Sequence, residues 1–63
     1  MHGFKQVEMT DHEIAKYLRD RRAIDNYRFE PSATKWHDDK GNVVLIIFYT
    51  GEGGMTTRQF IPA

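Results

Sequence analysis

The middle of the chain carries an uninterrupted apolar segment, residues 43–49, whose seven members read Val-Val-Leu-Ile-Ile-Phe-Tyr. A strand with one face in water alternates apolar and polar residues, so this segment predicts a strand that is buried on both faces. It is too short to span a membrane. Gly41 before it and Gly51 after it belong to turn-forming stretches. We therefore expect the central strand of a small sheet.

A helix is predicted ahead of this strand. Thr10 and Glu13 have the spacing of a capping box, in which each side chain bonds the main-chain amide of the other residue. Apolar residues then recur at helical spacing and should face inward. This stripe consists of Ile14, Tyr17 and Leu18. We expect the helix to run to about Arg22 or Ile24.

The remaining segments predict further strands. Residues 27–37 indicate a first strand, which Pro31 confines to a sheet edge or marks with a bulge. Residues 38–41 predict a hairpin turn, with Gly41 at positive φ. Residues 55–61 predict the third strand. The fold class is α+β in one domain, residues 1–63: an N-terminal helix packed on a three-stranded antiparallel β-meander (α-β-β-β). Whether residues 4–9 form a short leading strand stays open.

Both faces of the central strand are apolar and need to be buried. Strand alternation sends Val44, Ile46 and Phe48 to one face and the residues between them to the other. One short helix covers one face. Large apolar side chains left exposed to water on the other face would lower the stability of the fold by on the order of 5 kcal/mol. Two explanations for the second face remain open. Either the N-terminal arm covers it together with Trp36 and Tyr27, or a partner covers it, which is a second copy or a target protein.

The partner alternative leads to a set of candidate residues. The third strand, residues 55–61, should offer a free edge for pairing, and dimerisation by this edge or by the apolar face is the leading structural hypothesis. The candidate partner-binding residues are Trp36, Tyr49, Met55, Arg58 and Phe60.

Charge adds a second candidate surface. The chain has nine basic and nine acidic residues, which is not typical of a nonspecific phosphate binder. Lys16, Arg19 and Arg22 are nevertheless spaced by three and should form a basic row on the helix, which Arg28 extends. The row is either a patch for nucleic acid or an acidic partner, or a solvated helix face whose cations match the helix dipole.

Several kinds of chemistry find no support in the sequence. The chain has no cysteine, which excludes disulfides and thiolate zinc sites and fits a cytoplasmic protein. His37, Asp38 and Asp39 lie at a turn, where aspartate bonds its own backbone, so no metal site is expected. We find no signal peptide, membrane segment or cofactor motif. A chain of 63 residues rarely has room for a catalytic pocket.

These observations favour a small non-enzymatic protein-binding module, a regulator or inhibitor that occupies a partner surface. It would act as a homodimer if the free edge pairs with the same edge of a second copy. The alternative is a nucleic-acid-binding regulator that uses the basic row for phosphate contacts.

Overall fold

A computed structural model describes the main chain of residues 2–23, 25–29, 33–50 and 56–63, and the side chains of residues 2–23, 33–49 and 57–63. The elements in chain order are β1 (Phe4–Val7), α1 (Asp11–Asp20), β2 (Asp25–Phe29), β3 (Ala33–His37), β4 (Val43–Thr50) and β5 (Thr56–Pro62). The strands form one sheet in the order β1-β5-β4-β3-β2, and every neighbouring pair is antiparallel. The α+β class, with one N-terminal helix and an antiparallel sheet, is confirmed.

The segment predicted as the first strand is two strands. β2 and β3 pair antiparallel, with Phe29 opposite Ala33 and Asp25 opposite His37. The prediction of a single strand over residues 27–37 is therefore wrong in its count, since apolar and aromatic residues on both sides of Pro31 resemble one continuous strand. Pro31 itself lies outside the described residues. β2 forms the outer edge on this side of the sheet.

The N-terminal segment forms a strand that pairs with the C-terminal strand. β1 runs antiparallel to β5, with Phe4 opposite Pro62 and Val7 opposite Gln59. β5 is thus paired on both sides, by β1 and by β4. The predicted free edge at residues 55–61 is therefore occupied from Gln59 onward, because β1 pairs with residues 59–62. The arm formed by Phe4 and Val7 adds a strand to the sheet edge, and it does not fold over a sheet face as a cover.

The helix begins as predicted and ends earlier. The Thr10 hydroxyl accepts from the Glu13 amide at 3.2 Å, and the Glu13 carboxylate accepts from the Thr10 amide at 2.9 Å, so the capping box is confirmed. The last helical residue is Asp20, with Arg21 as the C-cap. Arg22 follows at φ 53°, in the left-handed region. We expected the helix to run to about Arg22 or Ile24, but it ends at Asp20.

The helix terminates in a Schellman motif. The Ala23 amide donates to the Leu18 carbonyl at 2.9 Å, and the Arg22 amide donates to the Arg19 carbonyl at 3.1 Å. This pair of bonds satisfies carbonyls that the helix end would otherwise leave free. The motif requires positive φ at the residue after the cap, where glycine is usual and where this chain has arginine.

The core lies along β4, as the apolar run predicts. Leu45 is fully buried, and Val44, Ile46 and Ile47 are also buried. Adjacent residues of a strand face opposite sides, so burial of Leu45 and Ile46 together means that both faces are closed at the middle of β4. Ile46 is only 3% exposed. Its register neighbours Lys35 and Phe60 flank it on the same face.

The segment before the helix is fixed to the sheet by one side chain. The Gln59 amide group accepts from the Met9 amide at 2.8 Å and donates to the Met9 carbonyl at 3.1 Å. Gln59 is opposite Ile47 in the register, so these two share a face. Tyr17 also contacts β4, through its hydroxyl and the Val44 carbonyl. The helix therefore lies over the face of Gln59 and Ile47, which we call the helix face.

The opposite side, the helix-free face, carries Ile46, Phe48, Arg58 and Phe60. These residues share a face because Ile46 pairs with Phe60 and Phe48 pairs with Arg58. Among the elements that the structure describes, the one helix lies on the other side of the sheet. Ile46 is nevertheless buried on this face, beside its cross-strand neighbours.

Candidate functional site

Two aromatic rings dominate the helix-free face. Phe48 on β4 and Phe60 on β5 are diagonal neighbours in the register, and their ring centroids lie 5.7 Å apart with an interplanar angle of 86°. This is the edge-to-face arrangement that aromatic pairs favour. Both side chains are only half-buried. The two rings therefore present apolar area at the surface of this face.

Cationic residues flank this aromatic pair. Arg58 lies directly opposite Phe48 and is exposed. Lys35 lies opposite Ile46 on β3, is half-buried and takes part in an interaction of its own. Among the side chains that the structure describes on this face, none is acidic. The surface is thus apolar at its centre and positive beside it.

The structure separates the predicted partner-binding residues. Arg58 and Phe60 lie on the helix-free face. Trp36 is opposite Leu45 and Tyr49 continues the alternation from Ile47, so both belong to the helix face. The Tyr49 hydroxyl accepts from the buried Thr34 hydroxyl at 3.2 Å, which gives this ring a structural contact. Met55 lies outside the described residues.

Phe48 belongs to this surface but is not among the predicted partner-binding residues. Its place beside Phe60 depends on the register of β4 with β5, in which Phe48 is opposite Arg58. Strand alternation alone assigns Phe48 to the face of Ile46, but it does not say which residues of another strand lie next to it. The available indication was its position two residues after Ile46 in the apolar run.

The predicted basic row does not persist as one helical row. Lys16 and Arg19 are exposed on α1, whereas Arg22 lies beyond the helix end. The side chain of Arg28 lies outside the described residues. Whether Lys16 and Arg19 contact phosphates stays a prediction.

Arg22 instead belongs to a cleft at the C-terminal end of the helix. The cleft has a volume of about 600 Å³ and brings together four cationic side chains: Lys5 from β1, Arg21 and Arg22 after the helix, and Lys40 from the β3–β4 turn. Its walls include Val44, Ile61 and Pro62. We call it the cationic cleft. Sequence reasoning missed it because its members are far apart in the chain.

Tyr17 and Arg21 are linked by several contacts in the cleft. The Arg21 guanidinium carbon lies 3.6 Å from the centre of the Tyr17 ring, in a cation–π arrangement. One guanidinium nitrogen also donates to the Tyr17 carbonyl at 3.4 Å. The Tyr17 hydroxyl in turn donates to the Val44 carbonyl at 2.8 Å. This chain of contacts holds the Arg21 guanidinium against the cleft wall.

The β3–β4 turn supplies the acidic members of the cleft, Asp38 and Asp39. The Asp38 carboxylate accepts from the Asn42 amide and the Lys40 amide, each at 2.9 Å. The bond from the Asn42 amide is the main reason that the pKa of Asp38 lies below its ordinary value. Gly41 adopts φ 84°, so the turn is confirmed with glycine at the residue that we predicted.

Within residues 2–23, 25–29, 33–50 and 56–63, there is no cluster of three or more histidine, cysteine or acidic side chains able to hold a metal ion. Over the same residues, no helix has both the length and the apolar character needed to cross a membrane.

No family model, no curated protein and no solved structure matches this chain.

Proposed function

We propose that this chain is a small non-enzymatic protein-binding module, a regulator or inhibitor that acts by docking its helix-free face onto another protein. The observation that carries this proposal is the edge-to-face pair of Phe48 and Phe60, half-buried on a sheet face that lies opposite the helix. Aromatic residues with fixed geometry contribute strongly to protein interfaces because they bury a large area at a small entropy cost.

Charge favours a different protein over a second copy as the partner. The described side chains of the helix-free face include Arg58 and Lys35 and no acidic residue. Two copies meeting face to face would bring the exposed Arg58 side chains onto a surface whose described side chains include no carboxylate. A partner with an apolar centre and acidic residues beside it would instead pair with Arg58 and gain electrostatic steering. The proposed partner surface is therefore apolar and flanked by aspartate or glutamate.

The proposal of a binding role also draws on the chemistry of the cleft. Its ionisable residues are cations and two aspartates, and the carboxylate of Asp38 is committed to two main-chain amides of its own turn. Such a set suits recognition of charge better than proton transfer. The lack of cysteine suits a reducing compartment, and we propose the cytoplasm as the location.

Affinity capture from the native host with a charge-reversed variant tests the proposal. Arg58→Glu reverses the exposed cation beside the aromatic pair, and Arg19→Glu makes the same change on the helix as a matched control. We expect a captured protein to be lost with Arg58→Glu and retained with Arg19→Glu. Equal capture by both variants would contradict docking through this face.

Two further measurements distinguish a nucleic acid or a second copy of the chain from a protein partner. Capture that disappears after nuclease treatment would instead favour the nucleic-acid-binding alternative. Sedimentation that gives a dimer for the wild type and a monomer for Arg58→Glu would identify a second copy as the occupant. Either result would replace the proposed protein partner.

A further inference from the structure

We propose that the cationic cleft is a binding site for a small phosphate-bearing ligand, separate from the helix-free face. The cleft joins segments that are remote in sequence: Lys5 lies on β1, Arg21 and Arg22 follow the helix, and Lys40 lies in the turn between β3 and β4. Its volume of about 600 Å³ falls in the range of small-molecule pockets.

The helix end explains only part of this cluster. Cations are favoured near a helix C-terminus because its free carbonyls carry partial negative charge. Arg21 satisfies this preference by donating to the Tyr17 carbonyl. Lys5 and Lys40 come from the sheet edge and a turn and have no such role. Among the described residues, the charged ends of Lys5 and Arg22 make no hydrogen bond or ion pair, and Lys40 lies near enough to Asp38 for its charge to lower the pKa of that carboxyl group.

Arg22 occupies a backbone conformation that its side chain does not favour. It lies at φ 53°, at the Schellman position where glycine is the usual residue. A side chain at this position costs stability relative to glycine. The chain nevertheless has an arginine there, and its side chain lines the cleft. This arrangement is consistent with a use for the guanidinium that is not the stability of the fold.

The charge and wall chemistry of the cleft indicate the ligand class. Four cations face two aspartates, and the Asp38 carboxylate already accepts two amide bonds of the turn. The cleft therefore has an excess of hydrogen-bond donors with positive charge, which suits phosphate oxygens. Val44, Ile61 and Pro62 supply an apolar wall. A ligand with a phosphate chain attached to a small organic group suits both the cations and the apolar wall.

Arg21 is the pre-organised donor of this site. Its stacking on Tyr17, with 3.6 Å from the guanidinium carbon to the ring centre, fixes the plane of the guanidinium. A guanidinium has five N–H donors, and the bond to the Tyr17 carbonyl uses only some of them. The remaining donors are available for a phosphate without a large loss of side-chain entropy on binding.

Titration with tripolyphosphate and with ATP, followed by chemical shifts of the backbone amides, tests the proposal. At low salt, about 50 mM, both probes should give saturable shifts at residues 21–22 and 38–42. Equal affinities would identify the phosphate chain as the recognised group. Tighter binding of ATP would add the organic part and the apolar wall. Either result supports the site.

Arg22→Gly is the decisive variant because it removes the guanidinium while it supplies the residue that the backbone favours. We expect binding to weaken about ten-fold or more, with no loss of thermal stability. Arg19→Ala removes the same charge from the neighbouring exposed helix surface, outside the cleft, and should change the affinity less than about two-fold. The absence of saturable binding by the wild type, or equal losses in both variants, would overturn the proposal.

Discussion

The hydroxyl of Tyr17 donates to the main-chain carbonyl of Val44 at 2.8 Å, and this bond joins the helix to the sheet at a β-bulge. Trp36 is opposite Leu45 and His37 is opposite Val43, so Val44 has no partner on β3. A bulge leaves one residue out of the ladder. The Tyr17 hydroxyl therefore supplies a hydrogen bond at a residue that β3 leaves unpaired.

Replacing Tyr17 with phenylalanine tests this relationship. Tyr17→Phe keeps the ring under the Arg21 guanidinium and removes only the donor to Val44. We expect a loss of about 1–2 kcal/mol in the free energy of unfolding, because a part-buried carbonyl loses its partner. Urea denaturation measures the loss. An unchanged midpoint would show that water replaces the hydroxyl at no cost.

Gln59 fixes the segment before the helix through both ends of its amide group. Gln59→Leu removes the acceptor and the donor that hold Met9, so we expect a loss of about 1–3 kcal/mol in the free energy of unfolding. Gln6→Leu makes the same change at an exposed residue of β1 and should alter stability by less than about 0.5 kcal/mol. Denaturation curves of the two variants that coincide would contradict the role of Gln59.

Asp38 makes stability depend on pH in the acidic range. Its pKa is lowered in the folded chain, chiefly by the Asn42 amide, so its ionised form stabilises the fold above the ordinary carboxyl pKa of about 4. This contribution is lost as the pH falls through the folded-state pKa. Asp38→Asn keeps an acceptor oxygen but does not titrate. Melting temperatures from about pH 6 to pH 2 should therefore fall less steeply in the variant. Parallel profiles would argue against the turn bonds as the cause.

Arg22→Gly should raise stability. Glycine adopts positive φ without the steric cost that a side chain incurs, so we expect a gain of about 0.5–1 kcal/mol in the free energy of unfolding. The greater freedom of glycine in the unfolded chain offsets part of this gain. Arg19→Gly is the control. Chemical denaturation should show that it lowers the free energy of unfolding, since Arg19 lies inside the helix. Destabilisation by Arg22→Gly would mean that the arginine side chain contributes to the fold.

The sequence was sufficient for the elements that depend on local chemistry. Thr10 and Glu13 predict the start of the helix, because a capping box involves neighbouring residues only. The apolar run predicts the buried strand β4, and Gly41 predicts the turn before it. In each case, the residues that determine the structure lie within a few places of one another.

The features that the sequence did not reveal depend on pairing between distant segments. β1 pairs with β5 across almost the whole chain, and nothing within residues 4–9 indicates that partner. The junction of β2 and β3 was hidden because Pro31 was interpreted as a bulge or an edge. The cationic cleft and the pair of Phe48 and Phe60 also require the register between strands, which alternation alone does not determine.

Site-specific photo-cross-linking is the most direct test of the proposed docking face. A photoreactive phenylalanine derivative at residue 60 keeps an aromatic ring beside Phe48 and leaves Arg58 in place, and it is compared in the native host with the same derivative at residue 19 on the helix. The docking account predicts one cross-linked protein partner from residue 60 and none in common from residue 19. The same cross-linked products from both residues, or products from residue 19 alone, would contradict it.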